Sequence, residues 1–303
     1  MRNSGVRGAR GPRRGVRPIL ATAALVAMGA AMSACSFSAE PDGGGARQSQ
    51  DARRPDARTV AALHAVERAT GRAGSARVSA ASVMGGLLSM RTAGVLGWAG
   101  EPVGRLSITY TGGELAESMR ALNSSAMEAR LLPDAYYAKV GDKFAARMHG
   151  KHWIRYDYDD LAELPGGSGT YLKDQLRNTA PVQPVQLLLA SGDVRRAGTE
   201  TVRGERTTHY SGVVEVAALA DSALKERLVQ AGVATETVDI WVNDRNLLVK
   251  KVERGELSSG RMSSTAYYSA YGVRAAVGAP AGADTADFKD LLGNSKASSA
   301  PSG

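Results

Sequence analysis

The sequence predicts an α+β fold, one large antiparallel sheet accompanied by a few helices. Three observations carry this. From Ser75 onward, short runs of alternating apolar and polar residues recur, separated by two-residue turn signals such as Pro133-Asp134, Gly141-Asp142 and Gly150-Lys151. Strands spaced so closely form an antiparallel meander. Helical spacing of apolar residues appears ahead of this series and again in its middle. Finally, no repeat period and no second composition regime divides the chain, so residues 59–292 read as a single domain.

Taken in order, the first element is an amphipathic helix over residues 60–72. Val60, Leu63 and Val66 share one side, Thr59 is its expected cap and Gly71 its expected end. Strands follow at 77–84, 86–91 and 94–100, the last closed by Glu101-Pro102. Residues 105–111 alternate cleanly, Leu106, Ile108 and Tyr110 against Ser107 and Thr109. The series continues at 127–132, 135–140, 143–148 and 152–156. The middle changes character, with a helical turn at 159–164, a glycine loop at 166–169 and helical segments at 171–177 and 184–191. Strands resume at 193–199 and 201–216, the second interrupted at Arg203-Gly204-Glu205. A helix over 221–232 precedes a hairpin of 237–243 and 247–257, and 262–271 is one more strand. Ala279-Pro280 leads to an apolar patch at Phe288, Leu291 and Leu292. Residues 293–303 have the composition of a disordered tail.

Residues 1–34 read as an address rather than as fold. Arg2, Arg7, Arg10, Arg13, Arg14 and Arg17 precede a short apolar run from Ile19 to Ala31. A basic head, an apolar core of roughly 7–15 residues and small residues at the end make a secretory signal peptide. The run falls short of the about 20 residues that cross a bilayer. It ends in Met32-Ser33-Ala34-Cys35, which holds the one cysteine of the chain and matches the lipobox of bacterial lipoproteins, with Met where Leu is most usual. Cys35 is therefore the expected lipidation site and first mature residue. The Arg13-Arg14 pair leaves twin-arginine export open beside the general route. Residues 35–58, rich in Ser, Gly, Ala, Pro, Asp and Arg, cannot bury enough surface to order themselves and read as a flexible tether.

The leader also accounts for the charge. The chain is formally +8, but without the six leader arginines 32 basic side chains face 30 acidic ones. Net charge therefore gives no reason to expect nucleic acid as a partner. A single cysteine allows no internal disulfide, so the core alone must hold the fold. Arg outnumbers Lys by 29 to 9, which suggests a GC-rich genome.

Three segments sharpen the reading. Tyr136-Tyr137-Ala138-Lys139-Val140-Gly141 is followed by Gly150-Lys151-His152-Trp153-Ile154-Arg155-Tyr156. Glu200-Thr201-Val202-Arg203-Gly204 runs on to Thr207-Thr208-His209-Tyr210-Ser211-Gly212. Val238-Asp239-Ile240-Trp241-Val242-Asn243 leads to Val249-Lys250-Lys251-Val252, closed by Tyr271-Gly272-Val273 and Ala279-Pro280. In this order, over most of residues 59–292, they resemble the exported actinobacterial lipoproteins of the mycobacterial LppX, LprA, LprF and LprG group. The resemblance implies a LolA-like fold, a curved antiparallel half-barrel whose concave face is covered by helices over an apolar cavity. It also implies a lipid or lipoglycan ligand, carried or presented in the cell envelope, and no cofactor. Shielding an acyl chain from water is a physical service in itself, since each exposed CH₂ costs about 0.8 kcal/mol.

The candidate cavity residues are Leu106, Ile108, Tyr136, Val140, Ile154, Val238, Ile240, Val242, Leu248 and Val252, with Trp98, Trp153 and Trp241 as candidates for the edge of a lipid mouth. Packing against the covering helices explains the same residues without a ligand. His149 and His152 look like a metal pair, but Gly150-Lys151 between them reads as a hairpin tip with no acidic partner nearby. Tyr156-Asp157-Tyr158-Asp159-Asp160 lacks the spacing of a calcium loop and reads as the acidic start of a helix. The glycines at 166, 167 and 169 lack the Lys-Ser or Lys-Thr of a phosphate loop, and no serine sits in a nucleophile elbow. These features point away from an enzyme. The two functions in competition are a lipid carrier anchored through acylated Cys35 on the outer face of the plasma membrane, and a regulatory or scaffold lipoprotein on the same fold, sensing envelope state through a protein partner such as a sensor kinase or an anti-sigma factor.

Overall fold

The computed structural model describes residues 55–163, 180–230, 232–257 and 260–292. The leader, Cys35, the tether up to residue 54, the glycine loop at 166–169, the segment at 171–177 and the tail at 293–303 lie outside the described residues. Twelve strands form one sheet in the order β12-β6-β5-β4-β3-β2-β1-β11-β10-β9-β8-β7. They are β1 (Ser75–Met84), β2 (Leu88–Gly97), β3 (Val103–Gly112), β4 (Ala126–Leu131), β5 (Ala135–Lys139), β6 (Trp153–Asp157), β7 (Val194–Val202), β8 (Glu205–Glu215), β9 (Thr235–Asn243), β10 (Leu248–Leu257), β11 (Gly260–Ser269) and β12 (Thr285–Asp287). All neighbours are antiparallel except β12, which lies parallel to β6. The two end strands do not meet, so the sheet is an open half-barrel. Its first and second halves join through β1 and β11, paired over eight residues from Arg77–Ser269 to Met84–Met262.

Helices cover one face. Helix α1 (Ala57–Ala73) buries Leu63 and Val66 and starts earlier than its apolar spacing indicates. Its cap is Asp56, which accepts from the Arg58 and Thr59 amides, while the Thr59 hydroxyl donates to the same carboxylate. Those bonds satisfy donors that a helix start leaves free. The end moves from Gly71 to Gly74, whose φ of 69° reverses the chain. Helix α2 (Glu114–Ala121) packs Ala116 and Met119 onto β2 and β3, in a stretch to which the sequence reading assigns no element. Helix α3 (Asp142–Ala145) and a 3-10 turn at Ala146–Met148 replace the strand expected over 143–148. Ala145 and Met148 are the buried residues there, and a spacing of three belongs to a helix rather than to a strand. Helix α4 (Tyr158–Ala162) is capped by Asp157, as the acidic run before it implies. Helix α5 (Gln183–Ser191) buries Pro184, Val185, Leu187 and Leu188 against β8 and β9 and also packs on α1. Helix α6 (Ser222–Gln230) follows β8 after a 3-10 turn at Val216–Ala218.

One correction concerns β2. The sequence reads as two short strands parted near Gly94, yet β2 runs unbroken from Leu88 to Gly97. Gly94 marks close approach rather than a break, because a Cβ there would lie 2.0 Å from the Arg105 carbonyl oxygen and 2.9 Å from the Leu106 Cα on β3. Gly94→Ala is therefore expected to cost about 2–4 kcal/mol in urea unfolding, by forcing β2 and β3 apart. Gly278→Ala, with open space around it, is the control and should change stability by less than about 0.5 kcal/mol.

Candidate functional site

Side chains alternate across a strand, so the register assigns each residue to a face. On the concave face, three cross-strand rows run through the middle of the sheet. The first is Ile108, Thr92, Ala80, Ala266, Lys251, Ile240 and Tyr210, from β3 to β8. The second runs Tyr110, Met90, Ser82, Ser264, Glu253, Val238 and Gly212. The third runs Leu88, Met84, Met262, Gly255, Glu236 and Val214. The flanks of the first two rows are apolar and covered, with Ile108 and Tyr110 at one side and Val238 and Ile240 at the other all buried. Their centre is different. Ala80, Ser82, Met90, Thr92, Ser264, Lys251 and Glu253 are only half-buried, as is Leu106 beside them. The lining there mixes small and polar residues with Met90 and Leu106, and the Ser82 hydroxyl meets that of Ser264 at 3.3 Å.

The centre also holds charge. Lys251 Nζ donates to Glu253 Oε2 at 2.6 Å, with the two side chains 16% and 12% exposed. Burial lowers the affinity of Lys251 for its proton, but the Glu253 carboxylate outweighs that and holds the ammonium well above its usual range. Glu236, one row away, is 4% exposed and its carboxyl makes no hydrogen bond within the described residues. Burial, reinforced by repulsion from Glu253 and opposed by Lys251, pushes its carboxyl up to about 8, so it holds its proton at neutral pH. Tyr268 on β11 is buried close to Lys251 and is also raised by burial.

Nine of the ten candidate cavity residues lie in the main core. Ile108, Tyr136, Val140, Ile154, Val238, Ile240, Val242 and Leu248 are buried, and Leu106 is half-buried against them. Val252 is placed on the opposite face, in a separate cluster with Val202, Trp241 and Val249. A bulge causes this. Leu248 pairs with Val242 but Lys250 with Trp241, so one extra residue at Val249 inverts the alternation along the rest of β10. The same inversion turns Lys251 and Glu253 onto the concave face. Sequence reasoning missed both, and the only available signal was the doubled lysine at 250–251, where one of two neighbours must face inward.

Of the three tryptophans, Trp98 is half-buried at the core edge, bonded to the Thr70 carbonyl and edge-on to Tyr271. Trp153 and Trp241 belong to the convex face. Trp153 packs with Ala135 and Tyr137 under Arg130. Trp241 stacks on His209 at 4.3 Å, lies under Lys250 and donates to Glu200. His209 is held by Asp239 at 2.8 Å, which also accepts from Arg254. Contrary to the sequence reading, His152 has acidic partners. Its amide and Nδ1 lie 2.8 and 2.9 Å from Asp284 Oδ1, and its Nε2 lies 3.5 Å from Asp142. They line a polar cleft of about 530 Å³ with Glu128 and Lys139. His149 sits at φ 56° at the end of the 3-10 turn. Among the described residues, no group of three or more His, Cys, Asp or Glu is arranged to hold a metal ion.

Comparison with known proteins places the chain. No family model matches it. A Streptomyces coelicolor protein whose name classes it as a lipoprotein is 56% identical over 231 residues, covering 76% of this chain and 75% of that protein. The chain belongs to that actinobacterial lipoprotein family. A 31.2 kDa Streptomyces griseus protein from the rplA–rplJ intergenic region is 49% identical over 244 residues, 77% of this chain and 80% of that one. Among solved structures, Mycobacterium bovis LprF is similar at 16% identity and a TM-score of 0.49, over 76% of this chain and 100% of its own. Mycobacterium tuberculosis LppX follows at 16% identity and 0.48, over 74% of this chain and 100% of its own. Both are members of the group that the sequence motifs resemble.

The buried acid generates a pH signature. Glu236 binds its proton more tightly folded than unfolded, so its contribution to stability is full below about pH 4.5 and is lost as pH rises through about 8. Lys251 and Glu253 are the titratable groups that act on it. Glu236→Gln should remove this slope, so the variant's advantage over the parent grows with pH, reaching about 2–4 kcal/mol by pH 8 in urea unfolding. A pH-independent difference between the two would contradict the assignment.

Proposed function

We propose that this chain is an exported lipoprotein, anchored through acylated Cys35 to the outer face of the plasma membrane, that binds a lipid or lipoglycan on the concave face and carries or presents it in the envelope. The observation that carries the proposal is the half-covered centre of that face. At the flanks of its central rows Ile108, Tyr110, Val238 and Ile240 are buried, but Ala80, Ser82, Met90, Thr92, Leu106 and Ser264 form a contiguous lining across β1, β2, β3 and β11 that is only half-buried. Small residues there lie between flanks of larger apolar side chains, an arrangement suited to a guest chain. The lipobox at Met32-Ser33-Ala34-Cys35 and the lipoprotein name of a 56%-identical relative support the anchor. Residues 35–54 supply a tether between anchor and fold. The role needs no reactive group, only a surface that replaces water around an acyl chain.

A soluble form starting at Ser36, secreted from an actinobacterial host and analysed by native mass spectrometry with lipid extraction, tests binding. A stoichiometric co-purified lipid is the expected result, whereas an apo protein unable to take lipid from vesicles overturns it. Ala80→Trp should fill the lining and lower lipid occupancy at least about tenfold while thermal unfolding shifts by only a few degrees. Cys35→Ala should move the full chain out of the membrane fraction or leave it unprocessed, and a variant still retained and processed would sink the anchor.

A further inference from the structure

The concave lining is not uniformly apolar, and its polar part has a definite chemistry. We infer that the patch formed by Glu236, Lys251, Glu253 and Tyr268 selects the uncharged ester linkage of an acylglycerol-type lipid and rejects the ionised carboxylate of a free fatty acid. The inference rests on the lipid-binding reading above and names its substrate class.

Position comes first. Lys251 and Glu253 stand in the first and second concave rows, next to half-buried Ala80, Ser82 and Ser264 one and two strands away. Glu236 occupies the third row beside Gly255, where no side chain separates it from β11. A ligand lying along the half-covered lining therefore meets Lys251 and Glu253, with Glu236 and Tyr268 buried to either side of them.

Hydrogen-bonding capacity comes second. An ammonium has three donors, and Lys251 uses one of them, on Glu253. Glu236 is buried without a hydrogen bond among the described residues, and so is the Tyr268 hydroxyl. Buried polar groups in folded proteins normally find partners. What this patch has to spare is donors, from Lys251, from Tyr268 and from the protonated Glu236 carboxyl. A group rich in acceptors, such as an ester carbonyl, matches them.

Charge comes third and sets the selectivity. The single positive charge is already matched by Glu253 at 2.6 Å. A free carboxylate entering here brings a second negative charge into a poorly solvated site whose one cation is already matched by Glu253. Like charges held so close disfavour each other strongly. An ester presents the same carbonyl acceptor without that repulsion. Sites built around specific buried hydrogen bonds discriminate by large factors, because a wrong ligand leaves their groups unpaired.

The test uses the soluble chain starting at Ser36, delipidated, with three probes of equal chain length: dipalmitoylglycerol, palmitate and hexadecane, near pH 7. The parent should bind dipalmitoylglycerol at least about tenfold more tightly than palmitate. Glu253→Gln keeps the shape and frees the Lys251 charge, so palmitate should gain at least about tenfold relative to the diester. The double variant Lys251→Met, Glu253→Leu removes both charges together, which buried pairs tolerate. It should bind the diester no better than hexadecane. An unchanged diester-to-palmitate ratio in Glu253→Gln overturns the inference while leaving lipid binding intact, as does equal binding of all three probes by the parent. Failure of the parent to bind any probe overturns the lipid-binding reading itself.

Discussion

A sheet with one covered face must keep its apolar residues in phase across every strand, and this molecule depends on where that phase is reset. Along β9 the alternation is strict, with Val238, Ile240 and Val242 inward and Asp239 and Trp241 outward. On β10 the extra residue at Val249 shifts the phase by one. Leu248 stays in the core, Val252 leaves it, and Lys251 and Glu253 enter. Without the bulge, Lys251 and Glu253 would stand on the convex surface and Lys250 and Val252 would face the core. A buried ion pair contributes little to stability, since desolvation offsets most of its attraction. Its persistence in the middle of the concave face is easier to understand as part of a recognition surface than as part of the core.

The remaining architecture serves that surface. Helix α5 and helix α1 seal the β8–β9 side, and α2 seals the side of β2 and β3. Between them the strands carry Ala80, Ser82, Ser264 and Ala266, whose short side chains lower the floor of the sheet. Fully burying one Ile or Leu stabilises by about 1.5–3 kcal/mol, so a centre lined by Ala and Ser forgoes several such contributions. The flanks supply them instead through Ile154, Leu131, Leu188, Ile240 and Leu248, each fully buried. Stability and access are therefore divided between different strands of one continuous sheet.

Much of this was legible in the sequence, and the failures have physical causes. The meander, the break before Glu205, the hairpin at 243–247 and the helices at 184–191 and 221–232 follow from periodicity and turn chemistry, which are local. What is not local was misread. Gly94 reads as the start of a separate strand until β3 supplies the carbonyl that excludes a Cβ. Residues 143–148 resemble a strand until Ala145 and Met148 are seen to be the ones that pack. His152 gains Asp284 from 132 residues away, a pairing that exists only because β12 docks alongside β6. The candidate cavity positions were identified as apolar inward residues, and nine of ten do face inward. Most, however, are sealed by helices. Leu106 and Met90 apart, the accessible centre belongs to residues too small or too polar for a hydropathy pattern to single out.

That inversion changes what the concave face asks of a guest. A uniformly apolar cavity ranks ligands by buried area alone, and binding energy then rises with chain length with little regard for the head of the molecule. A lining with one matched ion pair, one protonated acid and a buried phenol adds a fixed point that a chain must align with. The apolar flanks supply affinity without register, and the patch supplies register with little net affinity. A protein that passes a guest between membranes benefits from this division, because the apolar part can slide while the polar linkage fixes where the guest stops. Under the proposed selectivity the bulge at Val249 is the deciding feature, since it alone determines that Lys251 and Glu253, rather than Lys250 and Val252, lie on the concave face.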